Sequence, residues 1–401
     1  MSTATPSSPH TTQPLPDLGD TRIAFAHMSD GDIWRAQQLF RIIGNPFITG
    51  VGSWVTKAAL ALHLPIKAPI KATIFKQFVG GETIEECLVT ATRLGQSGVG
   101  TILDHSVEGQ EDEDTLDHTV EEILRTIAVA KARKDVPFSV FKPTGISRFA
   151  LLEKKSDGTL TPQEQPEWAR VERRMLHLCQ AAFDAGTPVL VDAEESWIQP
   201  AIDDLTERMM ERFNKERPIV YNTIQHYRRD RLEFLRVSFA KAEKGNYQLG
   251  VKLVRGAYME KERARAAEKD YPDPIQPDKR TSDNDYDAAL RYCAEHFDRV
   301  SVCVGTHNEA STLLMARLMA ERGLTKNDSR VWFAQLLGMS DNISYNMAAA
   351  GYNVAKYVPY GPVRQVLPYL IRRANENTSA RGQTGRELGL ILAEMRRRKK
   401  N

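Results

Sequence analysis

The feature that most constrains the fold of this chain is an alternation of eight short apolar runs with longer amphipathic segments. The runs are rich in valine and isoleucine and have the length of strands, whereas the segments between them show the apolar spacing of helices. The runs occupy residues 99–104, 137–142, 187–192, 219–224, 249–254, 300–305, 331–335 and 354–358. Eight strand–helix repeats favour a (β/α)8 TIM barrel, of the α/β class, over a doubly wound sheet.

The remaining segments divide the chain into four parts. Residues 1–20 are rich in Ser, Thr and Pro, which predicts a disordered N-terminal tail. Residues 21–97 form an N-terminal helical segment, residues 98–380 form the barrel, and residues 381–401 form a C-terminal basic helix. Helices in the N-terminal segment are predicted at 29–43, 53–64 and 81–95. Polar loops are predicted at 111–117 and 154–167.

Composition excludes several classes of protein. The chain of 401 residues carries a formal net charge of only +2, so electrostatic capture of nucleic acid is not expected. The four cysteines and nine histidines show no metal-ligand spacing, so no metal site is predicted. No apolar run of about 20 residues is free of charge, which argues against a membrane-spanning helix. No GxGxxG motif follows a strand, which disfavours a Rossmann site.

Polar residues stand at the ends of several predicted strands. They are Asp104, Lys142, Asp192, Gln225, Arg255, His307 and Gln335. Barrel enzymes place their chemistry at the carboxyl ends of the strands. Any one of these residues is equally well explained as a strand cap, but seven in corresponding positions favour one shared site.

A helix predicted near the C-terminus carries an unusual set of side chains on one face. Tyr369, Arg372, Arg373 and Glu376 are spaced i, i+3, i+4 and i+7. Two guanidinium groups can grip a carboxylate bidentately, and a carboxylate can face an ammonium group, so this face suits a small zwitterion. A solvated charged stripe is the alternative explanation for such a helix taken alone.

The last predicted helix ends in five consecutive basic residues at 396–400. Cations at this end of a helix complement its dipole, which is the simpler explanation. Peripheral contact with an anionic membrane surface is the alternative.

Five motifs in the same order resemble those of the proline dehydrogenases, flavin-dependent enzymes that oxidise L-proline. They are DAEE at 192–195, KLVRGAY at 252–258, GTHN at 305–308, FAQLLGM at 333–339, and YVPYG with YLIRRANEN at 357–377. The resemblance implies a distorted (β/α)8 barrel with a final helix lying over the barrel mouth. The strand count predicts the same barrel independently.

The resemblance implies a role for each matched residue. The implied catalytic residues are Lys142, Asp192, Arg372, Arg373 and Glu376. Within this set, Arg372 and Arg373 are expected to bind the proline carboxylate with help from Lys142. The wall against the pyrrolidine ring is expected to consist of Leu336, Tyr357 and Tyr369.

The resemblance also implies an FAD site across the strand ends. The implied contacts are Asp192, Val220, Gln225, Lys252, Arg255, Gly256, Ala257, Tyr258, His307, Asn308, Gln335, Arg373 and Glu376. Small residues at 256 and 257 would let the backbone approach the cofactor. Arg255 would neutralise the pyrophosphate, and Lys252 would stabilise charge on the reduced ring.

The implied reaction moves a hydride from the proline ring carbon beside nitrogen to flavin N5, giving pyrroline-5-carboxylate, and passes the electrons to a quinone. Lys252 with Arg255 and the loop at 154–167 resemble the eukaryotic branches, which use ubiquinone in mitochondria. Such a member is expected on the matrix side of the inner membrane, although no presequence is recognised, and a bacterial member would be cytoplasmic. The length favours a monofunctional enzyme.

Three other functions stay open at this point. A hydroxyproline dehydrogenase of the same superfamily is disfavoured by the bulky Tyr357 in the expected ring wall. A barrel aldolase would use Lys142 or Lys252 as a Schiff-base nucleophile beside Asp192. A catalytically silent binding scaffold would need none of these groups.

Overall fold

The computed structural model of the protein describes residues 14–43, 67–106, 111–379 and 381–400. Within these ranges, the side chains at 67, 69 and 374–384 are outside the description. The helix predicted at 53–64 and most of the tail expected at 1–20 lie outside the described residues. The tail is described from residue 14, and its Leu18 is buried against the barrel.

Eight parallel strands close into one barrel, and the last strand pairs with the first, which confirms the predicted fold. The strands are β1 Val99–His105, β2 Phe138–Phe141, β3 Val189–Val191, β4 Val220–Gln225, β5 Leu249–Val254, β6 Val300–Gly305, β7 Val331–Leu336 and β8 Val354–Tyr360. The largest boundary difference is at β3, where only the three buried apolar residues pair.

Helices follow the strands around the outside of the barrel. Their bounds are Ile84–Gly95, Glu113–Ala132, Phe149–Asp157, Gln165–Ala185, Gln199–Phe213, Arg231–Gly245, Met259–Lys269, Lys279–Glu295, Glu309–Glu321 and Asp341–Ala349. Before the barrel lie Thr21–Ala24, Asp30–Ile43 and a helix in three parts, Lys67–Ile70, the π-helical Lys71–Phe75 and Lys76–Phe78.

The loop predictions at 111–117 and 154–167 are wrong in part. Asp112 caps a helix by accepting a hydrogen bond from the Thr115 N–H, and the acidic residues that follow occupy its first turn. Negative charge is favourable there because of the helix dipole. The second stretch begins inside the helix Phe149–Asp157, which ends at Gly158 in the left-handed conformation.

Alternate strand residues point into the barrel, where aromatic rings fill the centre. The Phe138 ring packs edge to face on the rings of Tyr221 and Trp332, with centroids 5.6 Å and 5.5 Å away. The pairing of Thr223 with Lys252 and of Leu336 with Tyr357 places the next interior layer nearer the carboxyl ends. The interior is therefore apolar in the middle and polar at the mouth.

The chain ends in two helices that pack on the N-terminal segment. The lid helix is Val363–Ser379, and the C-terminal helix is Arg381–Lys400. Both contribute to an apolar cluster formed with the N-terminal helices, which includes Phe40, Phe78, Val366, Leu370 and Ile391. No helix among the described residues is long and apolar enough to cross a membrane.

Two of the five terminal basic residues have ion-pair partners within the fold, and one of them, Arg398, joins the C-terminal helix to the N-terminal segment. The Arg398 guanidinium donates to the backbone carbonyls of Phe25 and Met28, at 2.8 Å and 2.9 Å. It also pairs with the buried Glu394, as does Arg397. These two arginines therefore have structural partners within the fold.

Candidate active site

A buried carboxylate at the end of β3, Asp192, is the centre of the polar layer at the barrel mouth. The Tyr357 hydroxyl donates to Asp192 Oδ2 at 2.7 Å, and Lys142 Nζ lies 3.4 Å from the same oxygen. Lys252 Nζ forms a close ion pair with Asp192 Oδ1. Two residues within strands, Lys252 and Tyr357, and two that directly follow strands, Lys142 and Asp192, thus bring together four predicted site residues that are far apart in the sequence.

A second carboxylate, Asp104 at the end of β1, completes the charge balance. Its two oxygens lie 3.2 Å and 3.1 Å from Lys142 Nζ, and it is fully buried. The sequence marks it as a polar strand end, but the resemblance assigns it no role. Two lysines and two aspartates therefore give a site floor with no net charge.

The electrostatics of this floor follow from burial and from the two ammonium groups. Burial alone would raise the pKa of Asp192, but Lys252 and Lys142 outweigh burial and hold that pKa below its usual range. Burial and the two neighbouring carboxylates raise the pKa of Tyr357 well above its usual value. Near neutral pH, Asp192 is therefore ionised and the Tyr357 hydroxyl is neutral.

The lid helix carries the paired arginines to the mouth. The Arg372 guanidinium lies 5.8 Å from the ring centre of Tyr258, which follows β5. The Arg373 guanidinium is buried, 5.2 Å from the ring centre of Tyr369, and close enough to lower the pKa of His307. Glu376 lies on the same helix, but its side chain is outside the described residues.

Leu336 connects the residues of the expected substrate wall. It pairs in register with Tyr357 and packs on the apolar barrel interior. It also packs on the cluster between the lid helix and the N-terminal helices, in which Tyr369 is buried. The position of Tyr369 there reflects the second apolar face of the lid helix, which the spacing of the charged residues does not reveal.

Three implied cofactor residues make contacts between the barrel and the surrounding helices. Val220 is the first residue of β4 and packs between barrel and helices. The Arg255 guanidinium donates to Asp283, Thr306 and Ser311. Gln335 is buried, and its amide bonds Thr306 and Ser344. Strand alternation explains these placements, because a residue next to an inward-facing position faces outward.

The backbone after β5 is exposed at the mouth. Gly256 and Ala257 are both exposed, and Gly256 has φ of 135°. A Cβ at Gly256 would overlap the ring of Tyr227, so the glycine is required by the fold itself as well as by the expected approach of a cofactor. The fold therefore supplies a further reason for glycine at position 256.

Other implied contacts lie nearby. Gln225 ends β4 and donates to the backbone carbonyl of Glu194 at 2.7 Å. Asn308 caps the helix after β6 by accepting from the Ser311 N–H. His307 shares a hydrogen bond with the Ser340 hydroxyl at 2.9 Å. Burial and the cations Lys356 and Arg373 lower the pKa of His307 to about 3, so this imidazole is neutral.

A flavin fits the residues of this mouth. The buried hydroxyl of Thr223, the register neighbour of Lys252, has no hydrogen-bond partner among the described residues and can bond to a ligand. The backbone at residues 256 and 257, which follow β5, is exposed. No group of three or more His, Cys, Asp or Glu side chains suited to a metal ion occurs in the described part of the chain.

Comparison with known proteins agrees with this geometry. The family model described as proline dehydrogenase matches residues 87–386. The carbapenem antibiotics biosynthesis protein CarD of Pectobacterium carotovorum is 37% identical over 323 residues, covering 80% of this chain and 83% of CarD. Human proline dehydrogenase 1, mitochondrial, is 42% identical over 265 residues, covering 64% of this chain but only 44% of the human protein.

A solved structure shares the fold. Proline utilization A (PutA) from Bdellovibrio bacteriovorus, in a form inactivated by N-propargylglycine, superimposes with a TM-score of 0.70 at 18% sequence identity. The match covers 90% of this chain and 38% of PutA, so this chain corresponds to less than half of that protein. The family model matches residues 87–386, which include every strand of the barrel, and the related sequences agree with this match. The chain is an enzyme of the proline dehydrogenase family.

Proposed function

We propose that the protein oxidises L-proline to pyrroline-5-carboxylate with FAD as its cofactor. The observation that supports this proposal best is that the barrel mouth combines two lid-helix arginines with a charge-balanced floor of lysine, aspartate and tyrosine. The family to which the chain belongs is named for this activity.

Substrate binding would use the two charges of proline separately. Arg372 and Arg373 would hold the carboxylate, because a guanidinium fork matches the two carboxylate oxygens. Leu336 and the ring of Tyr357 would contact the apolar edge of the pyrrolidine. The floor carries no net charge of its own. The lid-helix arginines would therefore orient the proline zwitterion, and the wall formed by Leu336 and Tyr357 would limit its position.

Cofactor binding would involve other residues of the mouth, next to the two arginines. FAD, when bound, would supply the acceptor for the hydride that leaves the ring carbon beside nitrogen. Lys252 would hold positive charge beside it, with Tyr258 and His307 at the rim. The exposed backbone of Gly256 and Ala257 would allow close approach.

The first test is the visible spectrum. The purified protein, supplemented with FAD, is expected to be yellow and to lose its visible absorbance on anaerobic addition of L-proline. D-Proline serves as the matched control, since its mirror-image ring cannot present the same hydrogen with the carboxylate on the arginines. A protein that stays colourless with FAD would contradict the proposal.

Ring specificity provides a second test, which also separates the hydroxyproline alternative. The Tyr357 hydroxyl donates to Asp192, and a phenol held there would narrow the proposed ring wall against a ring hydroxyl. We expect kcat/KM for L-proline to exceed that for trans-4-hydroxy-L-proline by about 10- to 100-fold, as for other steric exclusions of about 1–3 kcal/mol. Equal values for the two amino acids would favour the hydroxyproline function.

The aldolase alternative has less support. Lys142 and Lys252 are both engaged in ion pairs with the carboxylates of the floor, whereas a Schiff-base nucleophile needs an amine that is free to attack a carbonyl. Borohydride treatment with a carbonyl substrate should therefore leave the protein unlabelled.

The proposal also includes an electron acceptor for the reduced flavin and a location in the cell. The human relative is named as mitochondrial, and we propose ubiquinone as acceptor and the matrix side of the inner membrane as location. The exposed basic residues Arg396, Lys399 and Lys400 are available for peripheral contact with an anionic membrane surface. The bacterial relative CarD keeps a cytoplasmic location open for a bacterial source.

A further inference from the structure

The loop after β7, residues 337–340, connects the barrel mouth to the C-terminal helix. Its last residue, Ser340, is one of few non-glycine residues in the described chain with a left-handed backbone, with φ of 51°. The Ser340 N–H donates to the Glu387 carboxylate at 2.6 Å, and the Ser340 hydroxyl lies 2.9 Å from His307 Nδ1. One serine therefore links the C-terminal helix to a rim histidine.

The same loop is fixed from two other directions. The Gln77 side chain donates to the Gly338 carbonyl at 3.0 Å, and a Cβ at Gly338 would overlap the Gln77 backbone. Lys356 Nζ donates to the Met339 carbonyl at 2.5 Å and pairs with Asp341 at 2.7 Å. The Ser340 carbonyl accepts hydrogen bonds from the Ile343 and Ser344 N–H groups, and Glu387 holds the other side of the residue through its N–H.

The Glu387 carboxylate is buried, which is unfavourable for a charged group. It is 6% exposed, and burial together with Asp341 raises its pKa to about 7. A buried carboxylate is unfavourable unless hydrogen bonds compensate it. The titratable groups around it are the charged Asp341 and Lys356, the neutral His307 bound to Ser340, and the neighbouring Arg386–Glu309 ion pair.

We propose that Glu387 is a positioning residue for His307: it fixes Ser340, whose hydroxyl then orients the imidazole at the rim of the flavin site. This inference rests on the proposed function. With Nδ1 engaged by Ser340, Nε2 is the nitrogen left for a bound ligand. The C-terminal helix, which lies outside the barrel, would thereby be part of the cofactor site.

The test is the dissociation constant of FAD, measured by flavin fluorescence on the full-length protein. Glu387→Ala is expected to weaken FAD binding about tenfold, the effect of losing about 1.4 kcal/mol of hydrogen bonding. Glu387→Gln keeps an oxygen that can accept from the Ser340 N–H and should restore most of the affinity. Ser340→Ala should reproduce the loss, and the double variant should be no weaker than either single variant, because both break one chain of contacts.

Glu394→Ala is the matched control. Glu394 is a buried carboxylate seven residues further along the same helix, and it pairs with Arg397 and Arg398. Its loss should lower the melting temperature without changing the FAD dissociation constant. If Glu387→Ala and Glu394→Ala affect FAD equally, the inference is overturned while the proposed function stands. If the unmodified protein binds no FAD, the proposed function fails and this inference with it.

A pH profile distinguishes positioning from a purely structural role. An ionised carboxylate accepts a hydrogen bond more strongly than a protonated one. The wild-type protein should therefore bind FAD less tightly as the pH falls through about 7, near the pKa of Glu387. Glu387→Gln should lack this step, and an identical pH profile in both proteins would count against the inference.

Discussion

Replacement of Arg373 or Arg372 by methionine is expected to raise the KM for L-proline by about 100-fold while FAD stays bound. Removing one partner of a desolvated, hydrogen-bonded charge pair costs about 2–5 kcal/mol, and each 1.36 kcal/mol is a factor of ten. The effect should be larger for Arg373, since its side chain is buried and therefore less screened by water. Steady-state kinetics with varied proline, together with the flavin absorbance of each variant, provide the measurement.

Arg398→Met is the matched control for this experiment. It removes a guanidinium of the same size from the C-terminal helix, where that group bonds the carbonyls of Phe25 and Met28. This variant should be less stable but should saturate with proline as the wild type does. Unchanged proline saturation in both lid-helix variants would rule out the assigned carboxylate site.

Replacement of Asp192 by asparagine is expected to lower the free energy of unfolding by about 3–5 kcal/mol, the cost of leaving a buried charge without its partner. The variant removes the carboxylate that Lys252 and Lys142 share and that accepts from Tyr357. Urea unfolding monitored by circular dichroism would measure the change. Glu172→Gln, which breaks an exposed pair with Arg208, should cost no more than about 1 kcal/mol.

The pH dependence of the Asp192 effect has a defined sign. The two lysines lower the pKa of Asp192 in the folded protein relative to the unfolded chain. Its stabilising contribution is therefore complete above the unfolded value of about 4 and is lost as the pH falls toward the folded value. The difference in stability between wild type and Asp192→Asn should shrink below about pH 4. A difference that is constant down to pH 2 would show that Asp192 is not held ionised by the lysines.

The barrel could be predicted from the sequence because its signal is local. Each strand is a short β-branched run, and each helix repeats apolar residues at helical spacing, so the eight repeats are visible without any long-range information. The lid helix was predictable for the same reason. The spacing of Tyr369, Arg372 and Arg373 is helical and is visible within one local stretch of sequence.

Which residues form the site was harder to predict from the sequence, because this depends on the direction of each side chain along its strand and on which strands pair. Arg255 and Gln335 are polar residues at strand ends, yet each is one position away from an inward-facing residue and therefore turns to the helices. Asp104 was visible as a strand end but not as the partner of Lys142, which is 38 residues away. The burial of Glu387 in a basic helix has no signal in local sequence at all.

The contacts of Arg398 with Phe25 and Met28 place the first and last described helices side by side. Neighbouring ends of this kind are suited to circular permutation, since a short linker can join them without stretching the chain. The exposed connection between Gly158 and Glu164, outside the ring of helices, offers a position for new termini. A circularly permuted protein of this kind would keep every strand of the barrel in its place, and its new termini would lie at the outer surface.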